Sequence, residues 1–142
     1  MQTRLHLTAA ATAVTTTVLF ILAAISTTLL DTHRTADVRQ AMLWGLFVLV
    51  PALVTTAATG FGVAGTSADP RITAKKRRMS FIAGIGLLLL TPAAFTLHQL
   101  ASHGNFGAPY FMVQTIEVLA AATSLALMAG NLRDGLRLTA RR

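Results

Sequence analysis

The sequence contains no cysteine. That one absence excludes disulfides, thiolate zinc sites, iron–sulfur clusters and cysteine nucleophiles. Charge is also scarce. Charged residues make up 12% of the chain, against about 25% in soluble domains. Acids are the rarer sign, five Asp and Glu against twelve Lys and Arg. There is no pair of carboxylates spaced for hydrolysis, no His-Glu-x-x-His motif, and no serine, histidine and acid with plausible mutual reach. The chain therefore carries no enzyme signature.

In place of charge there is apolar length. Hydrophobic residues are 54% of the chain and mean hydropathy is +0.62. Crossing a bilayer takes roughly 20 mostly apolar residues. Four stretches qualify, at about 7–30, 41–63, 79–100 and 109–130, and they use up most of the sequence. The expected fold is all-α: one four-span integral membrane bundle over 1–142. The runs are continuously apolar, whereas strands of a membrane barrel alternate over about 10 residues.

The net charge of +7 is distributed unevenly. Arg4, Arg71, Lys75, Lys76, Arg77, Arg78, Arg133, Arg137, Arg141 and Arg142 all fall at every second span boundary. Arg34 and Arg39 are assigned to the other side. This asymmetry predicts cytoplasmic termini and a cytoplasmic central loop in a multi-pass protein of the inner (plasma) membrane. The run Arg71, Lys75, Lys76, Arg77 and Arg78 is a candidate contact for anionic lipid headgroups, worth about 1 kcal/mol per residue near the surface. Nucleic-acid binding is not expected, because the basic residues sit at membrane boundaries. Leu7 to Leu30 exceeds the roughly 7–15 apolar residues of a signal peptide, so the first helix is expected to be retained.

Local signals complete the outline. Pro51 and Pro92 each remove a helix donor and are expected to kink their helices. Asp69-Pro70 reads as a helix start. Gly60, Gly62 and Gly65 are expected to close the second helix. Gly84 and Gly86 would admit a close neighbour, and Ala122, Ala126 and Gly130 form a small-residue seam of the kind that lets membrane helices meet. Such seams suit a homo-oligomer or a place in a larger membrane complex.

Glu117 stands out, halfway along the last span with no basic residue assigned to its depth. A carboxyl in hydrocarbon is costly unless it has a partner, a proton or a function. Gln114 and Glu117 share a helix face, roughly 8 and 12 Å below Pro109 at 1.5 Å per residue. With His98 and Trp44 they could line an outward-opening pocket for a small ligand, proton or cation, in a transport or accessory role. No cofactor is required by this reading. A redox alternative places a b-type haem on His98 and His33, or a quinone against His98, Gln114 and Trp44. In a third reading the polar groups only bond helices together, in a non-catalytic assembly or structural subunit.

Overall fold

The computed structural model describes residues 2–29, 31–64 and 70–139. They form five α-helices: α1 (Gln2–Ser26), α2 (Thr32–Ala64), α3 (Pro70–Ile85), α4 (Thr91–Ser102) and α5 (Ala108–Thr139). A single π-helical turn, Gly86–Leu90, joins α3 to α4. Four helical segments are long and apolar enough to cross a membrane: Arg4–Ser26, His33–Gly60, Lys76–Ser102 and Ala108–Asp134.

Continuously apolar segments favour helix because each backbone group then finds its partner within the segment. Threonine hydroxyls do the same. Thr12, Thr17, Thr56 and Thr115 each donate to the carbonyl four residues earlier at 2.7–2.9 Å. A residue that would compete with the helix is thereby absorbed into it.

The helices pack as antiparallel neighbours in a ring. α1 touches α2 and α5, and the α3–α4 rod touches α2 and α5. α2 and α5 face each other across the diagonal, with no close backbone approach among the described residues. One end of the bundle joins the start of α1 to the end of α2, where the His6 ring lies 3.0 Å from the Thr59 hydroxyl. The same end carries Arg78 and Asp134 and is termed the basic end. The opposite, hairpin end holds the α1–α2 and α4–α5 connections. At the latter, Gly104 takes φ +66°, and Asn105 N–H reaches back to the Leu100 carbonyl at 2.8 Å. This is a helix stop built on a left-handed residue, which glycine adopts at little cost.

Burial follows steps of four and three residues. On α2 the buried positions include Thr35, Arg39, Met42, Leu46, Leu49 and Leu53. On α5 they include Tyr110, Gln114, Glu117, Ala121, Ser124 and Asn131. This is the seam of helices lying nearly side by side. The α3–α4 rod starts the same way with Met79, Ile82 and Gly86, but then buries Leu90, Ala94, Leu97 and Ala101, with Ala93 alone keeping the earlier register. Strict continuation would have turned 89 and 96 inward. The π turn absorbs one extra residue and shifts the seam by that amount.

The π turn ends next to Pro92. The Thr91 N–H and hydroxyl both donate to the Gly86 carbonyl. The wide turn is where the proline's missing donor and bulky ring are accommodated. Pro51, by contrast, is exposed within a continuous α2.

Several expectations need correction. α2 begins at Thr32 rather than near 41 and runs past Gly60 and Gly62 to Ala64; Gly65 and Asp69 lie outside the described residues. Gly86 does admit a neighbour, since a Cβ there would lie 2.7 Å from Leu53 Cδ1, whereas a Cβ on Gly84 would meet nothing within 4 Å. Ala122 and Ala126 are exposed, so the expected small-residue seam of α5 is not a seam inside this bundle. The buried stripe is the polar one beside it.

Candidate functional site

The extended start of α2 changes the reading of the buried acid. Arg39 lies two turns into α2, and Glu117 two and a half turns into α5. Both helices begin at the hairpin end, so the two residues reach similar depth. Arg39 Nη1 donates to Glu117 Oε2 at 2.6 Å, with the side chains 1% and 7% exposed. The expectation of an acid without a basic partner is thus overturned. The error came from assigning Arg39 to a flanking segment. Its position on the four-and-three seam of α2, four residues after Thr35 and three before Met42, was the available signal.

The guanidinium is held by three α5 side chains. Besides Glu117, Arg39 Nε donates to the Tyr110 hydroxyl at 3.1 Å, and Nη2 donates to Gln114 Oε1 at 3.0 Å. Arg39 also lies over the Tyr110 ring, 5.6 Å from its centroid. A planar fork with donors on three nitrogens can engage three acceptors at once, which a lysine ammonium on the same stem does less well. The span matters too. α2 and α5 are diagonal, so a long side chain is needed to cross between them.

Gln114 ties in a third helix. Its Nε2 donates to the Ala24 carbonyl of α1 at 3.3 Å. The Thr27 hydroxyl lies 3.4 Å from Gln114 Oε1 and gives its proton to the nearer Ala24 carbonyl at 2.6 Å. Toward the hairpin end the cluster is covered by Leu97, Ala101 and Tyr110, with Phe106 packed against them. The rings of Phe106 and Tyr110 meet edge to face at 5.0 Å. In the other direction lies a cavity of about 20 Å³, bordered by Glu117, Thr17, Met42, Leu49, Leu90 and Ala121 among others. That is room for about one water molecule.

The remaining expected site residues are elsewhere. Trp44 is 65% exposed and stacks on Phe47, with ring centroids 5.8 Å apart. It does not join Gln114 and Glu117. His98 is half-buried on α4, with its ring nitrogens 3.4 and 3.5 Å from the Ser102 hydroxyl. His33 is exposed on the first turn of α2 rather than in a loop. Among the described residues neither histidine hydrogen-bonds to the buried cluster, and no group of three or more His, Asp or Glu is placed to hold a metal.

At the basic end, Arg78 Nη1 donates to Asp134 Oδ2 at 2.6 Å, joining α3 to α5. The guanidinium passes Gly130, where a Cβ would stand 3.4 Å from Arg78 Nη1. Arg77 is exposed, with its guanidinium 5.8 Å from the Phe81 ring centroid. Arg71 and Lys75 fall outside the described side chains. Among the described residues, the Ser124 hydroxyl and Asn131 Oδ1 are buried without a hydrogen-bond partner. Compared with known protein families, curated proteins and solved structures, the chain shows no significant match.

Proposed function

We propose that this chain is a multi-pass protein of the inner membrane, with both termini cytoplasmic, that serves as a non-catalytic structural or assembly subunit. The asymmetry of basic residues supports the orientation. The observation that carries the functional reading is the use of Arg39. Three of its nitrogens are engaged by side chains of the diagonal helix. A cluster satisfied in this way specifies how four spans meet and has little capacity left for a ligand. The adjacent cavity, of about 20 Å³, does not take a haem, a quinone or an organic substrate. The protein then acts through its lipid-facing surface, alone or against other membrane subunits.

A second reading draws on Glu117 bordering that cavity. A water beside a buried carboxylate is the minimum equipment of a proton site. The two readings separate in the double variant R39M/E117L, which replaces the whole charge pair with apolar groups of similar bulk. Such replacements are often neutral or stabilising. A structural clip predicts that the double variant folds, keeps its partners and supports growth wherever the wild-type gene is needed. A folded double variant that loses proton or cation flux in proteoliposomes, relative to wild type, would reject the structural reading in favour of the second.

A further inference from the structure

The basic end carries a groove that the buried cluster does not use. It lies between α3 and α5, is lined by Thr73, Ala74, Arg77, Arg78, Phe81 and Leu127, and has a volume of about 590 Å³. That falls within the roughly 300–1,000 Å³ typical of small-molecule sites. Its polarity is graded along α3. Arg77 stands about two turns into α3, and Phe81 follows one turn deeper, about 6 Å along the axis. Leu127 adds an apolar wall from α5.

The two arginines differ in availability. Arg78 is committed to Asp134 at 2.6 Å, which neutralises the acid beside the groove. Arg77 makes no ion pair among the described residues, and its guanidinium is stationed over the Phe81 ring. A cation above an aromatic face, with aliphatic surface below, matches a ligand that is anionic at one end and hydrocarbon at the other. A phospholipid of the cytoplasmic leaflet has that construction and arrives at this depth without leaving the bilayer.

We propose that this groove binds one anionic phospholipid, with the phosphate on Arg77 and an acyl chain along Phe81 and Leu127. The proposal rests on the membrane-spanning reading above and adds a defined site to a diffuse basic surface. It also fits a role carried on the outside of the bundle: a bound lipid fills the seam between α3 and α5 where other spans would approach.

The test is lipid retention. Full-length protein is reconstituted into nanodiscs containing phosphatidylglycerol and phosphatidylcholine, released gently, and weighed with its lipids by native mass spectrometry. The expected result is one retained phosphatidylglycerol in preference to phosphatidylcholine. R77Q should weaken that retention about fivefold, the effect of one basic residue at an anionic surface. F81A should weaken it while leaving the protein folded, and R133Q, an equal charge loss on exposed α5 surface, should leave it unchanged. Equal losses in R77Q and R133Q would reduce the effect to general surface charge and overturn the site. So would equal retention of both lipids, or displacement of the lipid by inorganic phosphate, which would indicate a simple anion site. A chain that does not enter nanodiscs at all would overturn the membrane-spanning reading first, and the groove with it.

Discussion

Two interhelical ion pairs of this bundle, among the described residues, share a donor–acceptor distance of 2.6 Å and differ in almost everything else. Arg39–Glu117 crosses the diagonal between α2 and α5, with side chains 1% and 7% exposed. Arg78–Asp134 joins adjacent helices at the basic end, with side chains 35% and 26% exposed. Distance alone therefore says little about energetic role. For the inner pair, the alternative to pairing is an unpaired charge in an apolar interior. For the outer pair, the alternative is water.

The strongest way to break this comparison is to remove one inner partner. R39A leaves Glu117 buried without the one hydrogen-bond partner it has among the described residues, and Gln114 and Tyr110 each lose a donor. Loss of one member of a buried pair costs about 3–5 kcal/mol. In detergent, R39A should unfold at markedly lower temperature than wild type, or fail to accumulate. The double variant R39M/E117L should recover most of that loss. If R39A matches wild type in thermal unfolding, the pair does not organise the bundle.

Removing one spoke gives a smaller effect. Y110F keeps the ring, its edge-to-face contact with Phe106 and its place in the apolar cover. It deletes the acceptor for Arg39 Nε. Hydrogen bonds to charged groups contribute about 1.5–3 kcal/mol, so Y110F should fall between R39A and wild type. A loss as large as that of R39A would mean that the hydroxyl, rather than Glu117, is the principal anchor.

How much of this was legible beforehand differs between fold and site. Four long apolar helices were readable from unbroken apolar runs, because a segment such as Met79 to Leu100 has few polar groups with which to do anything else. Glu117 and Gln114 were readable as neighbours from a spacing of three. Arg39 was not, because hydropathy windows treat a charge as a span boundary. That rule averages over composition and ignores which face a residue occupies. Arg39 enters the interior because it shares the seam of Met42 and Leu46, and because α5 presents three acceptors at the right depth. The π turn was invisible for a different reason. Pro92 announces a disturbance, but whether the chain kinks or adds a residue depends on the packing of Leu90 and Ala94 against other helices. Trp44 was misplaced through composition as well. Its aromatic character fits an interface, but only helix rotation decides between the bundle interior and its outer surface, and rotation is settled by the partners of the opposite face.

The middle of the α5 stripe offers a test with the opposite sign. Ser124 is 2% exposed, yet its hydroxyl has no partner among the described residues, unlike the threonines that return their protons to the helix. A buried hydroxyl without a hydrogen bond is a net cost. S124A should therefore raise thermal stability, by up to about 1 kcal/mol after allowance for the small void left behind. Destabilisation of that size would show that the hydroxyl is bonded in the working protein, to a water or a bound group. That would favour the proton-site reading of the interior.

The outer pair should yield the smallest effect and the clearest contrast. Exposed ion pairs typically contribute about 0.2–1 kcal/mol, and the Arg78–Asp134 side chains are 35% and 26% exposed. The cost of R78A should lie in that range and should depend on salt. At 1 M salt the screening length falls to about 3 Å, whereas it is about 10 Å at 0.1 M. Most of the difference between R78A and wild type should disappear over that interval. The R39A deficit should persist, because its charges are shielded from solvent ions by the surrounding helices. Equal salt sensitivity in the two variants would mean that solvent reaches Arg39 and Glu117. The distinction between an inner lock and an outer tie would then fail.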